Sequence, residues 1–242
     1  MFQQDRARWN KVIFVDWHGV LSHDPFWISI LQNEQHPLHS SLSKAAKKLF
    51  EKNDDLVRDW MRGDITASQI VDGLQIELEP EFPRDYLTRK SVDDCQLMRV
   101  NIQLPPLLQA AQQTGTAIVL ATDNMDCFHD AILKARQTST RLRATKTTTF
   151  STTARLFDDV LCSSTQRMLK REDPQRFFAN WLSSHALDFS DALLLDDLEV
   201  NCSAFRATGG TAMQITLESL ENNADKIFAE IDFRLRINNK RF

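Results

Sequence analysis

The sequence predicts an α/β fold built on a parallel sheet, and three observations support that prediction. Short apolar runs recur along the chain and are typical of buried strands. Segments with helical spacing lie between most of these runs, and strands that alternate with helices form right-handed crossovers in a parallel sheet. Polar side chains follow several of the strands, at the sheet edge where ligands bind in open α/β folds.

The first predicted strand is Lys11–Val15, which is followed by Asp16 and then by Gly19. Its last four residues are apolar, and Gly19 permits a sharp turn after the strand. A carboxylate at such a strand end can act as a nucleophile and form a covalent intermediate. The alternative is an Asp that only caps a turn, and these residues alone leave both interpretations open.

Further strands and helices follow in alternation. The strands are expected at 117–121, 160–162, 192–195 and 211–215, and the helices at 105–114, 126–137, 174–186, 199–208 and 217–235. Gly115 and the pair Gly209-Gly210 follow two of these helices as stop signals. The last helix is amphipathic, so we expect it to cover the sheet.

Residues 23–101 break this alternation, because they contain no convincing buried strand. Apolar residues recur there at helical spacing, around 42–50, 56–61 and 70–78. Thr66 is a candidate cap for the third of these helices. Since a helical insert placed directly after the first strand overhangs the carboxyl edge of the sheet, it can act as a lid. We expect a core domain of residues 1–22 and 102–242 and a helical cap domain of residues 23–101.

Composition and charge narrow the classes of function. The chain has 242 residues and a formal net charge of -4, so it offers no global basic field for a nucleic-acid partner. No apolar run of the sequence approaches a membrane span, and the N-terminus lacks a signal-peptide core. The four cysteines are scattered without a CxxC pair, which argues against structural zinc or a disulfide framework. We expect a cytoplasmic protein with reduced thiols and no membrane partner.

Two more strand ends carry residues suited to phosphate and metal binding. The second strand ends in Thr122-Asp123-Asn124, where a hydroxyl beside backbone N–H groups suits an oxyanion or phosphate. The fourth strand ends in Asp196-Asp197, and adjacent carboxylates after a buried run need donors or a cation such as Mg²⁺. The alternative for Thr122 and for Asp197 is helix capping.

A candidate cation lies between these strand ends. The segment 170–177 begins with Lys170-Arg171, and a cation there could neutralise a nucleophilic Asp and a transferring phosphoryl group. A Lys-Arg pair without that context is usually a solvated surface feature.

Together these four segments resemble the motif set of the haloacid dehalogenase-like (HAD) superfamily. The order and spacing fit throughout, and the helical insert resembles the C1 cap of that superfamily. The resemblance therefore covers nearly the whole chain. The four motifs are the strand and Asp at 12–21, the strand ending in Thr at 118–122, the Lys and following Pro and Phe at 170–177, and the strand with Asp-Asp-x-x-x-Asn at 193–201.

The resemblance implies a Rossmann-like core with a C1 cap and gives each residue a role. Asp16 would be the nucleophile that forms an aspartyl intermediate, and Lys170 would steady the charge on Asp16 and on the transferred group. The implied Mg²⁺ ligands are Asp16, the backbone carbonyl of His18, Asp196 and Asp197. The implied phosphate-binding residues are Thr122, Asp123 and Asn124.

Two departures from the family pattern bear on function. His18 stands where HAD phosphatases usually have a second Asp that transfers protons, and an imidazole can replace it near neutral pH or be a spacer. In the third motif, spacing from Ser164 assigns the Lys position to Lys170, whereas spacing from Asp173 assigns it to Arg171. We prefer Lys170, because it preserves the residue type.

The function expected from these features is a Mg²⁺-dependent phosphatase acting on a small phosphorylated metabolite or nucleotide. Cleavage of a carbon–halogen bond is one alternative, because direct displacement by Asp16 needs no proton donor. A scaffold that binds a ligand or partner without turnover is another, because it tolerates His18 in place of the second Asp.

The stretch Thr138 to Thr153 is rich in Ser and Thr and includes Arg141, Arg143 and Lys146. We interpret it as an exposed loop, with a basic contact for a polyanionic partner as the alternative.

Overall fold

One parallel sheet of five strands organises the protein. The structure, a computed structural model, describes residues 9–137 and 149–237. The strands are β1 (Lys11–Val15), β2 (Thr116–Thr122), β3 (Asp159–Cys162), β4 (Ala192–Asp196) and β5 (Thr211–Gln214). Their order is β3-β2-β1-β4-β5, and all four neighbouring pairs are parallel. The predicted α/β class is confirmed, and each predicted strand lies within one residue of its observed bounds.

Helices fill the connections. They are α1 (Ile28–Leu31), α2 (His39–Lys52), α3 (Asp54–Met61), α4 (Ala67–Gly73), α5 (Tyr86–Asp93), α6 (Leu104–Gln113), α7 (Asp126–Gln137), α8 (Phe150–Ala154), α9 (Ser163–Gln166), α10 (Pro174–Ser184), α11 (Glu199–Ala207) and α12 (Leu217–Ile237), with 3-10 turns at Asp94–Leu97 and Phe189–Asp191. Helix α12 contains a non-helical residue at Asn223. In the part of the chain that the structure describes, no helix has both the length and the apolarity to cross a membrane.

The stretch between β1 and β2 is helical, as the sequence predicts. Residues 23–101, called the helical insert below, contain α1 to α5 and no strand. The Thr66 hydroxyl accepts a hydrogen bond from the Gln69 backbone and the Gln69 side chain accepts one in return, so the predicted cap of α4 is confirmed as a capping box. The periodicity missed α1 and α5, because α1 has only four residues and α5 carries few apolar ones.

The loop prediction for the Ser/Thr-rich stretch is wrong at its end. Residues 138–148, with Arg141, Arg143 and Lys146, lie outside the described residues. Beyond them, Thr149 forms a capping box with Thr152 and begins α8. The Phe150 ring is fully buried, 4.9 Å from the ring of Trp17. The burial of Phe150 therefore packs α8 against the core, although the sequence around it is polar.

Strand β1 is central, so its side chains enter the core on both faces of the sheet. Ile13 and Val15 belong to the cluster that the helical insert joins, whereas Phe14 packs against Phe178 of α10 and Phe205 of α11 at centroid distances of 4.8 and 6.1 Å. Burial of each such side chain contributes about 1.5–3 kcal/mol. This burial holds the strand that carries Asp16 rigidly in the middle of the sheet.

The helical insert is attached to the carboxyl edge of the sheet by polar contacts. The Asp126 carboxylate, at the start of α7, accepts hydrogen bonds from Trp60 Nε1 at 2.8 Å and from the Ala67 backbone N–H at 3.0 Å. Ser163 Oγ donates to the Met61 carbonyl oxygen at 2.7 Å. Gly63 has φ +73° and lies so close to Ser164 that a Cβ would overlap its carbonyl oxygen. The turn between α3 and α4 is therefore fitted to the end of β3.

The replacement Gly63→Ala tests this fit. We expect it to lower the free energy of unfolding by about 1–3 kcal/mol, because the new Cβ meets backbone and the residue keeps a left-handed conformation. Gly73→Ala is the matched control, since Gly73 ends α4 with open space around it. Urea unfolding of both variants measures the difference. Equal stability of the two would contradict the proposed fit.

Candidate active site

The parallel register of β1, β2 and β4 places the carboxyl ends of these three strands side by side. Val15 is paired with Leu120 on one side and with Leu195 on the other. Asp16 follows Val15 and Asp196 follows Leu195, so the two carboxylates lie side by side. The Asp16 backbone N–H donates to the Leu195 carbonyl oxygen at 2.9 Å, which fixes this register at the site.

A buried ammonium group lies between these carboxylates. Lys170 Nζ is 2.7 Å from Asp16 Oδ2 and 2.6 Å from Asp196 Oδ2, and it donates to the Ala121 carbonyl oxygen at 3.1 Å. The side chain is 1% exposed. Arg171, the alternative from motif spacing, is exposed instead.

Asp196 is held by its own neighbours. Its Oδ1 accepts hydrogen bonds from the Leu198 backbone N–H and from Asn201 Nδ2, both at 3.0 Å. The Asn201 Oδ1 atom is buried without a hydrogen-bond partner. The sequence identifies Asn201 only as the last residue of the fourth motif. Its hydrogen bond to the Asp196 carboxylate shows that it orients this carboxylate.

Three carboxylates crowd this edge. Asp16, Asp196 and Asp197 each offer an oxygen atom, and these atoms lie within 4.8 Å of one another. Burial raises the pKa of Asp16 to about 8, with Asp196 acting in the same direction and Lys170 opposing both. Burial and Asp196 likewise raise the pKa of Asp197.

Several carboxylates surround the single ammonium group of Lys170. Burial lowers its pKa, but Asp16, Asp196 and Asp123 outweigh that effect, and the pKa of Lys170 is raised above its ordinary value. Lys170 therefore stays charged, and the surrounding carboxylates still exceed it in number. An excess of buried negative charge favours a further cation.

The donor set fits a hard divalent cation. All three acidic residues present oxygen atoms, which are the ligands that Mg²⁺ prefers. Among the residues that the structure describes, Asp16, Asp196 and Asp197 are the single group of three or more His, Cys, Asp and Glu side chains with this spacing. The His18 imidazole is not part of the group.

Thr122, which ends β2, and the next two residues differ in the hydrogen bonds that their side chains make. The Thr122 hydroxyl is buried without a hydrogen-bond partner, and it lies close enough to Asp16 to favour the ionised carboxylate. Asp123 Oδ1 accepts from the Lys170 backbone N–H at 2.9 Å, so it positions the lysine. Asn124 Oδ1 accepts from the Met125 backbone N–H at 3.0 Å, and the Asn124 N–H donates to Ser163 Oγ at 2.8 Å. The Thr122 hydroxyl is thus a buried donor that no other side chain engages.

His18 lies at the rim beside a tight turn. Its side chain is exposed, and its ring centroid is 5.5 Å from that of His23. Neighbouring protein lies close enough to the partly solvated ring to lower the pKa of His18 by desolvation, and His23 adds to this effect. Gly19 follows with φ +82°, and a Cβ there would overlap the Asp197 carboxylate. The turn predicted at Gly19 therefore also makes room for Asp197.

A cavity of about 430 Å³ opens beside these groups. Its polar lining includes His18, Asp123 and Asn124. Its apolar lining includes Phe26, Phe50, Val57, Met61, Met98 and Met125. Sequence reasoning missed Phe50, Val57 and Met61 as part of a site, because their helical spacing is also that of ordinary core positions. Phe26, Met98 and Met125 lie in connecting segments outside the helices, where no periodic pattern marks them.

Comparison with known proteins gives matches in structure only. No protein-family model matches the sequence, and no curated protein matches it. A HAD family enzyme from Bacteroides thetaiotaomicron, solved with magnesium and inorganic phosphate, is 16% identical, covers 86% of this chain and 94% of its own, and has a TM-score of 0.58. An L-2-haloacid dehalogenase from Xanthobacter autotrophicus, solved with chloropropionic acid covalently bound, is 11% identical, covers 91% of this chain and 87% of its own, and has a TM-score of 0.52.

The two matched proteins have different ligands in the same kind of fold. At such low identity the similarity concerns the fold and not the activity. The TM-scores of 0.58 and 0.52, over 86% and 91% of this chain, show that the similarity extends over most of the fold. This chain therefore has the fold of the HAD-like hydrolases.

Proposed function

We propose that this protein is a Mg²⁺-dependent phosphatase that acts on a small phosphate monoester through an aspartyl intermediate. The observation that carries the proposal is the carboxylate group of Asp16, Asp196 and Asp197 around the single ammonium of Lys170. A divalent cation would allow all three carboxylates to ionise together, and it would also offset the charge of a phosphate ester. The similarity to a HAD enzyme solved with magnesium and phosphate agrees with this choice.

Mg²⁺ would be held by Asp16, Asp196 and Asp197, together with the backbone carbonyl of His18 that the family resemblance implies. When bound, it would favour the ionised form of Asp16 and offset the charge of the phosphate. Without it, burial raises the pKa of Asp16 and favours the protonated carboxyl, which is the poorer nucleophile.

The first half of the reaction transfers the phosphoryl group from the substrate to Asp16. An Asp16 oxygen attacks phosphorus, the bond to the ester oxygen breaks, and the alcohol leaves after taking up a proton. Lys170, already 2.7 Å from Asp16, offsets the charge at the reacting centre. The buried hydroxyl of Thr122 is available to donate to a phosphate oxygen. Asp123 supports the site by accepting from the Lys170 backbone N–H, and Asn124 by holding the loop after β2 through Ser163.

His18 serves the second half of the reaction. Water attacks the aspartyl phosphate, inorganic phosphate leaves, and Asp16 is regenerated. Because the pKa of His18 is lowered, its imidazole is largely neutral near pH 7 and can accept a proton from that water. The same neutral form is a weak acid, so protonation of the alcohol falls to solvent or to the acidic cluster.

The helical insert acts as a cap domain in this proposal, with core residues 1–22 and 102–242 and cap residues 23–101. Its support is the position of the insert above the strand ends, where Phe50, Val57 and Met61 line the cavity beside Asp123. A cap of this kind excludes water from the reacting groups and contacts the part of the substrate beyond the phosphate.

Carbon–halogen cleavage is the second candidate, and the similarity to a haloacid dehalogenase favours it. Direct displacement of halide by Asp16 requires no second Asp. It also requires no metal, so it leaves the crowding of Asp196 and Asp197 unexplained. A binding scaffold without turnover is the third candidate, and it rests on His18 in place of the usual Asp.

The replacement Asp16→Asn tests the nucleophile. We expect phosphate release from an aryl phosphate to fall by roughly 10³-fold or more, because an amide cannot form the intermediate. Asp72→Asn is the control, since Asp72 is an exposed acid of α4 far along the chain from the site. Wild-type activity should also vanish with a chelator and return with Mg²⁺. Halide release that survives the chelator would support the dehalogenase, and tight phosphate binding without turnover would support the scaffold.

The replacement His18→Ala tests the proton acceptor. We expect a loss of about 10²-fold in kcat for aryl and alkyl phosphates alike, because both pass through the same aspartyl phosphate. Rapid mixing should show a burst of alcohol release before the slow steady state. His18→Asp retains a proton acceptor and should keep more activity than the alanine variant. An unchanged rate, or a loss confined to alkyl phosphates with poor leaving groups, would contradict the role given to His18.

A further inference from the structure

The cavity beside the proposed catalytic groups is lined largely by apolar side chains. Phe26, Phe50, Val57 and Met61 of the helical insert contribute to it, together with Met125 that follows β2. Its volume of about 430 Å³ lies in the range of small-molecule sites, which is about 300–1,000 Å³.

Three carboxylate or amide groups of this cavity are engaged by the protein itself, whereas Trp17 Nε1 is buried without a hydrogen-bond partner. Asp24 accepts hydrogen bonds from the Arg99 backbone N–H at 2.6 Å and from Arg99 Nη2 at 2.7 Å. The Asp123 and Asn124 oxygen atoms accept from backbone N–H groups, as described above. Among the described residues, no Lys or Arg lines this cavity. A second phosphate would therefore find no lysine or arginine side chain to balance its charge there.

The polar end of the cavity adjoins the reacting groups. Trp17 and His18, which line it, directly follow Asp16 in the chain, and Asp123 directly follows Thr122. A phosphate placed between Asp16 and Thr122 would therefore direct the rest of its ester toward the side chains of the helical insert.

We propose that the substrate is the phosphate monoester of an apolar, ring-sized alcohol, such as an aryl phosphate, whose apolar group fills this cavity. The proposal rests on the phosphatase function above and adds the class of alcohol. Transfer of an apolar ring from water to Phe, Val and Met side chains is favourable. The same surface disfavours a sugar or glycerol, because their hydroxyl groups would lose water without gaining partners.

Selectivity among substrates tests the proposal. We expect kcat/KM for 1-naphthyl phosphate to exceed that for glycerol 3-phosphate and ribose 5-phosphate by at least about tenfold. Val57→Asn places an amide in the cavity and should remove most of this preference. Leu56→Asn is the matched control, since Leu56 is the adjacent residue of α3, is 40% exposed and does not line the cavity. Equal or better turnover of glycerol 3-phosphate would overturn the proposal.

A binding measurement separates this proposal from the phosphatase assignment. Titration of 1-naphthol into the protein without Mg²⁺, followed by calorimetry, reports on the cavity alone. We expect binding that Val57→Asn weakens by about tenfold and Leu56→Asn leaves unchanged. Binding with this pattern but without phosphate release from any ester would keep the apolar site and reject the phosphatase. Phosphate release without 1-naphthol binding would do the reverse.

Discussion

The buried ammonium of Lys170 between Asp16 and Asp196 is the interaction on which the site depends. A lysine that is 1% exposed loses its hydration, and only close carboxylates make such burial tolerable. Those carboxylates come from two neighbouring strands, and the lysine also donates to the end of a third through the Ala121 carbonyl oxygen. Hence the charge balance of the site and the register of β1, β2 and β4 support each other. Asp197 lies beside these two carboxylates, so the acidic groups outnumber the ammonium, and the proposed cation would balance them.

The apolar side chains of the cavity come from a different part of the chain than the charged groups. The sheet supplies the charged groups at its edge, whereas the helical insert supplies Phe50, Val57 and Met61. Contacts of Asp126 with Trp60 and Ala67 hold the two parts in position. In the proposed function, chemistry and substrate choice are therefore carried by different stretches of chain. A change in the insert would then alter the preferred alcohol and leave the Asp16 carboxylate in place.

Much of the fold and part of the site could be predicted from the sequence, and the reasons are physical. Buried parallel strands are continuous apolar runs, so β1 to β5 stand out, and parallel register brings Asp16, Thr122 and Asp196 to one edge. The choice between Lys170 and Arg171 depends on which side chain points inward, and spacing does not encode that. Helix α8 was missed because a single Phe150 decides its packing. The cavity was missed because its side chains from α2 and α3 have the same periodicity as core residues.

The central claim is that Asp16 and Asp196 share one divalent cation beside Lys170. Anomalous diffraction from crystals soaked with Mn²⁺, a hard ion with preferences similar to those of Mg²⁺, tests it most directly. The account predicts a single strong peak within coordination distance of oxygen atoms from both Asp16 and Asp196, with Lys170 still in contact with Asp16. A peak bound elsewhere, or no peak at this edge of the sheet at saturating Mn²⁺, would contradict it.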